Sequence, residues 1–252
     1  MTGAITFARF AYPPNALGYC GPDEHDTLLE CADAGIDDGC LRFLARSFEG
    51  AWPYLELIAS ANAIADPLDT RVVEAYWLGN GLLRAVTPDL LHRSLEDRFR
   101  SAAGRQWERL AAVVPYALAP QHGFHVFAVY PWTGLLRGPA QVDALHVLDR
   151  CRIRWGRVRA VDRDAALVDS APLTWDGRRL ALGPERAEQV VVARNGAHLA
   201  PGCRPGDVVA LHWEWVCERL DERRLRWLQR CTRVQLRAVN AMAFSPPAAV
   251  LS

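Results

Sequence analysis

The sequence predicts an α+β protein: an all-helical N-terminal domain followed by a small OB-like antiparallel β-barrel that carries a C-terminal helix. Three observations predict it. Apolar residues recur at helical spacing through the first part of the chain. Short runs of period near two, divided by tight-turn dipeptides, begin near Cys151. Helical spacing returns after Asp221. These changes of texture set the expected units: a helical domain over 1–148, a barrel with its helix over 149–244, and a loose tail over 245–252.

In the first unit, Leu28, Leu29 and Ala32 open an apolar pattern that continues through Leu41, Phe43, Leu44 and Phe48. A second helical stretch runs from Trp52 to Ala65 and stops before Asp66-Pro67. A third, from Thr70 to Ala85, carries Val72, Val73, Tyr76, Trp77 and Leu83. Thr87-Pro88-Asp89 starts a fourth, with Thr as N-cap, Pro at the first helical position and an acid in the first turn. Gly104 is expected to break that helix before another through Trp107, Leu110 and Val114. Phe124 to Tyr130 reads as a buried helix or strand ended by Pro131.

The second unit is built of strand signals. Ile153, Trp155, Val158, Val161, Leu167 and Val168 alternate, with a phase change at Gly156 that predicts a bulge. Leu173 to Leu180 folds back around Asp176-Gly177, and Val190-Val191-Val192 leads to a second turn at Asn195-Gly196. Pro205-Gly206-Asp207 turns into Val208 to Trp213. About five short strands joined by such turns predict a small closed barrel. Asp221 is a plausible N-cap for the last helix, along which Leu225, Leu228, Cys231 and Gln235 align.

Composition excludes several functions. All 29 basic residues are Arg, so amine chemistry and a phosphate-binding loop that depends on Lys are excluded. A formal net charge of zero argues against nucleic-acid binding by phosphate neutralisation. No apolar run approaches the ~20 residues that cross a bilayer, and the first residues lack a secretory pattern, so a cytoplasmic location is expected. Residues 1–150 hold 12 Arg against 18 Asp and Glu, and 151–252 hold 17 against 11. Opposite charge in the two halves fits mutual docking or a partner for either. The seven Cys form no C-x-x-C pair.

Cys151-Arg152-Ile153-Arg154-Trp155-Gly156-Arg157-Val158, then Val161 to Asp169, then Pro205-Gly206-Asp207-Val208-Val209-Ala210-Leu211-His212, then Val216 to Glu222, stand in the order of motifs in the HypC/HupF chaperones of NiFe-hydrogenase maturation. Residues 151–235 thus resemble that family. The resemblance implies a small barrel with a C-terminal helix. It also implies transient carriage of an iron–dicyano–carbonyl unit, Fe(CN)2(CO), with a hydrogenase large subunit or a HypD-like maturation protein as partner. Cys151 and His212 match the family's cargo and partner residues, with Gly156, Arg152 and Arg154 beside them. A thiolate and an imidazole suit low-spin iron, and Arg150, Arg152 and Arg154 are expected to favour thiolate and attract an anionic cargo. This chain departs from the family in its internal Cys, in Trp155 where Pro is usual, in Trp213-Glu214-Trp215 after the His, and in a longer segment from 172 to 203.

The helical unit offers its own candidates. Tyr12-Pro13-Pro14-Asn15 and Tyr19-Cys20-Gly21-Pro22 read as an ordered loop or as turn and capping residues. Cys20, His25, Cys31 and Cys40 have no metal-knuckle spacing. His122 and His125 lie one helical turn apart and, with Cys20, form an alternative metal or haem site walled by Phe124, Phe127, Tyr130 and Trp132. The leading expectation is a non-enzymatic maturation chaperone. The alternatives are a metal- or haem-binding enzyme with its site in the helical unit, and a protein-interaction module without cargo.

Overall fold

The computed structural model describes residues 1–103, 120–129 and 132–242. The expected break at Gly104, the helix through Trp107, Leu110 and Val114, the stop at Pro131 and the tail from Ser245 lie outside the described residues. The architecture is mixed α and β, with helices in the N-terminal part, then a strand-rich part and a C-terminal helix.

The first element is a helix that runs through Tyr12-Pro13-Pro14-Asn15, which the sequence reads as a loop or as turn and capping residues. α1 (Gly3–Ala16) contains both Pro13 and Pro14 and is buried along most of its length. Nearly every side chain up to Tyr12 is apolar, so the helix has no polar stripe to mark its period and sits inside the core instead. Thr2 caps it by accepting from the Ile5 N–H. The two prolines lack N–H groups and so leave the carbonyls of Arg9 and Phe10 without their helical partners.

The Leu28–Phe48 pattern forms two helices, α2 (His25–Ala34) and α3 (Gly39–Arg46), divided at Gly35, and Asp38 caps the second. α4 (Trp52–Ala61) ends four residues before the expected stop. The Thr70–Ala85 stretch is interrupted: α5 (Thr70–Trp77) closes at Gly79, whose φ of 88° lies in the left-handed region, and a 3-10 turn (Gly81–Ala85) follows. A Cβ on Gly79 would stand 2.5 Å from Cys231 Sγ, so backbone freedom and close packing both demand glycine. α6 (Pro88–Ala103) begins as expected, with Thr87 Oγ1 accepting from the Leu90 N–H at 3.3 Å. A short helical turn (His122–Phe124) runs directly into a π-helical turn (His125–Val129). α7 (Gln141–Cys151) then leads to the strands.

Strands β1 (Arg154–Asp162), β2 (Ala165–Ser170), β5 (Arg186–Val191), β8 (Val208–His212) and β9 (Trp215–Arg219) pair in the order β1-β2-β5-β9-β8, and β8 pairs back onto β1. The β5–β9 junction is one parallel bridge, Val191 to Trp215. β3 (Leu173–Trp175) with β4 (Leu180–Leu182), and β6 (Ala193–Arg194) with β7 (Ala197–His198), form two side ribbons at the expected Asp-Gly and Asn-Gly turns. The bulge lies between Val158 and Ala160, not at Gly156. Gly156 instead lets strands approach: a Cβ there would meet Val168 Cγ1 at 2.4 Å and the Asp169 carbonyl at 2.5 Å. α8 (Glu222–Met242) closes the described chain, with Asp221 capping the Arg224 N–H at 2.7 Å.

Valines dominate the interior between the strands, including Val158, Val168, Val190, Val209 and Val216. A larger core joins α1, α4 and α5 to Ile153, Ala210, Trp215, Cys217 and Leu228. α1 touches the strands through Tyr12 edge-on to Trp215, and Arg9 pairs with Glu218 at 3.7 Å. Glu74 receives Arg223 and Arg224 of α8, each at 2.9 Å. Under the sheet, the carboxylate of Glu188 accepts from Arg150, Arg154 and Ser170. Burial works against its charge, but these partners hold its pKa down at about 2.

Replacing Glu188 with Gln leaves the buried Arg154 without its counter-charge, which costs on the order of 3–5 kcal/mol. Urea denaturation at pH 7 reads that loss as a lower midpoint; an unchanged midpoint shows that the cluster does not stabilise the fold.

Candidate functional site

Two turns and one helix end converge between the helices and the strands. His212 is the last residue of β8 and Cys151 the last of α7, while His122 opens the short turn after residue 120. Their ligand-bearing atoms all lie within 4.8 Å of one another. They line a cavity of about 160 Å³ together with Cys20, His125, Tyr76, Trp77, Pro14, Trp132 and Trp213. The expected pair, Cys151 and His212, is therefore brought together, and one of the alternative candidates, His122, joins it. Cys20 and His125 share the cavity wall.

Each ring is oriented by its neighbours. His212 is fully buried and its Nδ1–H donates to the Phe10 carbonyl at 2.6 Å. That carbonyl is available because Pro14 has no N–H to offer it. The Nε2 of His212 has no hydrogen-bond partner among the described residues. His122 Nε2 lies 2.7 Å from the Cys151 carbonyl and donates to it, which leaves Nδ1 as the nitrogen with a lone pair. The two rings meet edge to face at 5.0 Å, and the Trp77 ring lies against both, at 4.8 Å from His122 and 5.6 Å from His212. His125 turns away to Tyr54, with Nδ1 3.4 Å from the hydroxyl. His122 and His125, one helical turn apart, both line the cavity, and the wider π turn begins only at His125.

Trp213 follows His212 in a two-residue turn and adopts φ of 51°, a conformation that bulky side chains rarely take. Its N–H donates to the Arg150 carbonyl, its carbonyl accepts from Arg154, and its ring stacks on Tyr19 at 4.4 Å. These contacts hold the strained turn and set the indole in the cavity wall.

Burial keeps the site neutral. Desolvation lowers His122 to about 4 and His125 to about 3, and carries His212 well below its ordinary value. It pushes the Cys151 thiol up, with nearby Cys20 adding to the rise, and Cys20 itself to about 12. The expectation that flanking arginines would favour thiolate is overturned, because each is engaged elsewhere. Arg152 binds Asp149 and the Ala171 carbonyl, and Arg150 and Arg154 bind Glu188. Neither Arg152, Arg154 nor Gly156 lines the cavity. Of the expected pocket wall, Trp132 lines the cavity, Phe124 and Phe127 are buried in the core, and Tyr130 lies outside the described residues. Sequence reading missed Trp77 and the Phe10 carbonyl; the paired prolines at 13 and 14 were the only trace of the latter.

Architecture and site together define an α+β protein with a desolvated thiol–imidazole cluster at the meeting of its helical and strand-rich parts. Residues 1–245 match a family of unknown function, DUF6390, and the chain belongs to that family. No curated protein and no solved structure matches it. Among the described residues, no helix is long and apolar enough to cross a membrane.

Two outcomes are expected of the protein. An imidazole depressed to about 4 stays neutral in the fold but takes up a proton in the unfolded chain below about pH 6.5. Stability is therefore full above that pH and falls as pH drops towards 4, by roughly 3 kcal/mol for a ring shifted this far. Melting temperatures across pH 8 to 4 show this slope, and His125→Phe, which removes one of the three depressed imidazoles, makes it shallower; a flat wild-type profile contradicts it. In alkylation at pH 8, the exposed Cys40 reacts first, the half-buried Cys151 more slowly because desolvation raises its thiol pKa, and the buried Cys217 only on unfolding. Mass spectrometry that finds Cys151 modified as fast as Cys40 contradicts the raised thiol pKa.

Proposed function

We propose that the protein is a non-enzymatic maturation factor for a NiFe-hydrogenase, which carries an iron–dicyano–carbonyl unit on Cys151 and His212. It docks on the hydrogenase large subunit or on a HypD-like scaffold. The observation that carries this reading is the approach of a thiol and an imidazole, about sixty residues apart in sequence, inside one cavity. The strand-rich half is read as a small OB-like barrel closed through the Val191–Trp215 bridge, in keeping with the HypC/HupF resemblance of residues 151–235. A cavity of about 160 Å³ is close to the ~150 Å³ site that takes up benzene in an engineered protein core. An iron atom with two cyanides and one carbonyl has about that bulk, and aromatic walls suit its apolar carbonyl. The thiol, held neutral by desolvation, must release its proton to solvent as iron takes the sulfur lone pair.

A second reading has its own support, since Cys20, His122 and His125 all line the same cavity. It makes the protein a metal- or haem-binding enzyme. The cavity is small for a macrocycle, because sites for larger organic ligands run from about 300 Å³ upward.

Anaerobic co-purification with hydrogenase maturation proteins tests the leading reading. Wild type is expected to retain a partner and to show infrared bands of cyanide and carbonyl, and Cys151→Ala to lose the bands. Wild type with neither partner nor bands refutes the carrier function, and a haem absorption band in its place establishes the second reading.

A further inference from the structure

We propose that the helical half completes the site in cis: His122 is a third protein ligand beside Cys151 and His212. The isolated chain then holds one divalent transition-metal ion, with its fourth position open to the aromatic cavity. This rests on reading Cys151 and His212 as ligands, and not on hydrogenase maturation.

The three ligand-bearing atoms already share a space of 4.8 Å. Each imidazole has one nitrogen committed to a backbone carbonyl, Phe10 for His212 and Cys151 for His122. A carbonyl on the far nitrogen is the usual support of a metal-bound histidine, since it fixes the tautomer and aims the remaining lone pair. The aimed nitrogen of His212 is fully buried and has no hydrogen-bond partner among the described residues. The indole N–H groups of Trp77 and Trp213, on side chains only 3% and 4% exposed, are likewise without acceptors there. Buried polar atoms are rarely left so. Three of them belong to residues that line one cavity, which points to a missing ligand.

The donor set gives its class. One thiolate and two imidazoles suit zinc, cobalt(II), iron(II) or nickel, whereas calcium and magnesium require oxygen. Zinc bonds of ~2.0–2.3 Å place tetrahedral ligand atoms ~3.3–3.6 Å apart, so the groups close in by about 1 Å on binding. On binding, the S–H bond of Cys151 breaks, a sulfur lone pair forms the metal–sulfur bond, and one proton per ion leaves to solvent. The fourth ligand is a water or a small anion.

The test is titration of the full chain, chelator-treated and kept reduced without oxygen, with cobalt(II). One equivalent is expected to bind, with a sulfur-to-cobalt charge-transfer band and the intense visible bands of four-coordination. Cys151→Ser loses the charge-transfer band, and His122→Ala and His212→Ala each weaken binding at least about tenfold. X-ray absorption of the wild-type zinc form, which needs no variant to fold, is expected to show one sulfur and two imidazoles. A single imidazole, or His122→Ala binding as tightly as wild type, removes His122 from the site and leaves the carrier reading standing. A chain that takes up no ion alone yet shows the infrared bands with its partners overturns this inference and spares that reading. Neither ion nor bands overturns both.

Discussion

The hydrogen bond from His212 to the Phe10 carbonyl is the interaction on which the rest of the site depends. A ring buried without water must satisfy its N–H or suffer the cost of desolvation. An ordinary helix gives it no acceptor, because each carbonyl is already taken by the N–H four residues on. Pro14 removes that competitor and so turns α1 into a helix with one carbonyl to spare. With Nδ1 satisfied, Nε2 is left without a hydrogen-bond partner among the described residues, and the Trp213 turn that follows is held by Arg150 and Arg154.

The surroundings of the cluster divide into two electrostatic regions. The arginines next to Cys151 are neutralised by Asp149 and Glu188, so they brace the junction of α7 with β1 and leave the thiol to its apolar surroundings. In the cavity, thiol and imidazoles are all uncharged, so no like-charge repulsion opposes their close approach. A cation would meet preassembled neutral donors, and the thiolate formed on binding would offset part of its charge. The same desolvation that makes the cluster costly to protonate would strengthen its attraction to a cation.

Much of this was legible in the sequence where a local rule governs the outcome. The strands, their Asp-Gly and Asn-Gly turns, the Thr87 and Asp221 caps and the closing helix all follow from period and turn chemistry. α1 was not legible, because a helix buried on every side has no polar face, and Pro13-Pro14 reads as a break. The bulge at Arg159 was displaced to Gly156, because glycine marks both bulges and close strand approach, and here the second applies. At the site, Cys151 and His212 were singled out together. His122 was assigned instead to a helical pair with His125, since a turn of π-helix and a contact between distant rings leave no mark on residue spacing.

The contact between Phe10 and His212 joins positions 202 apart. Ribosomes release the amino end first, so α1 emerges with a vacant carbonyl long before its imidazole has been translated. A polypeptide that has grown no further than residue 211 therefore lacks the oriented ring, and the thiol and two imidazoles can gather only once His212 has been made.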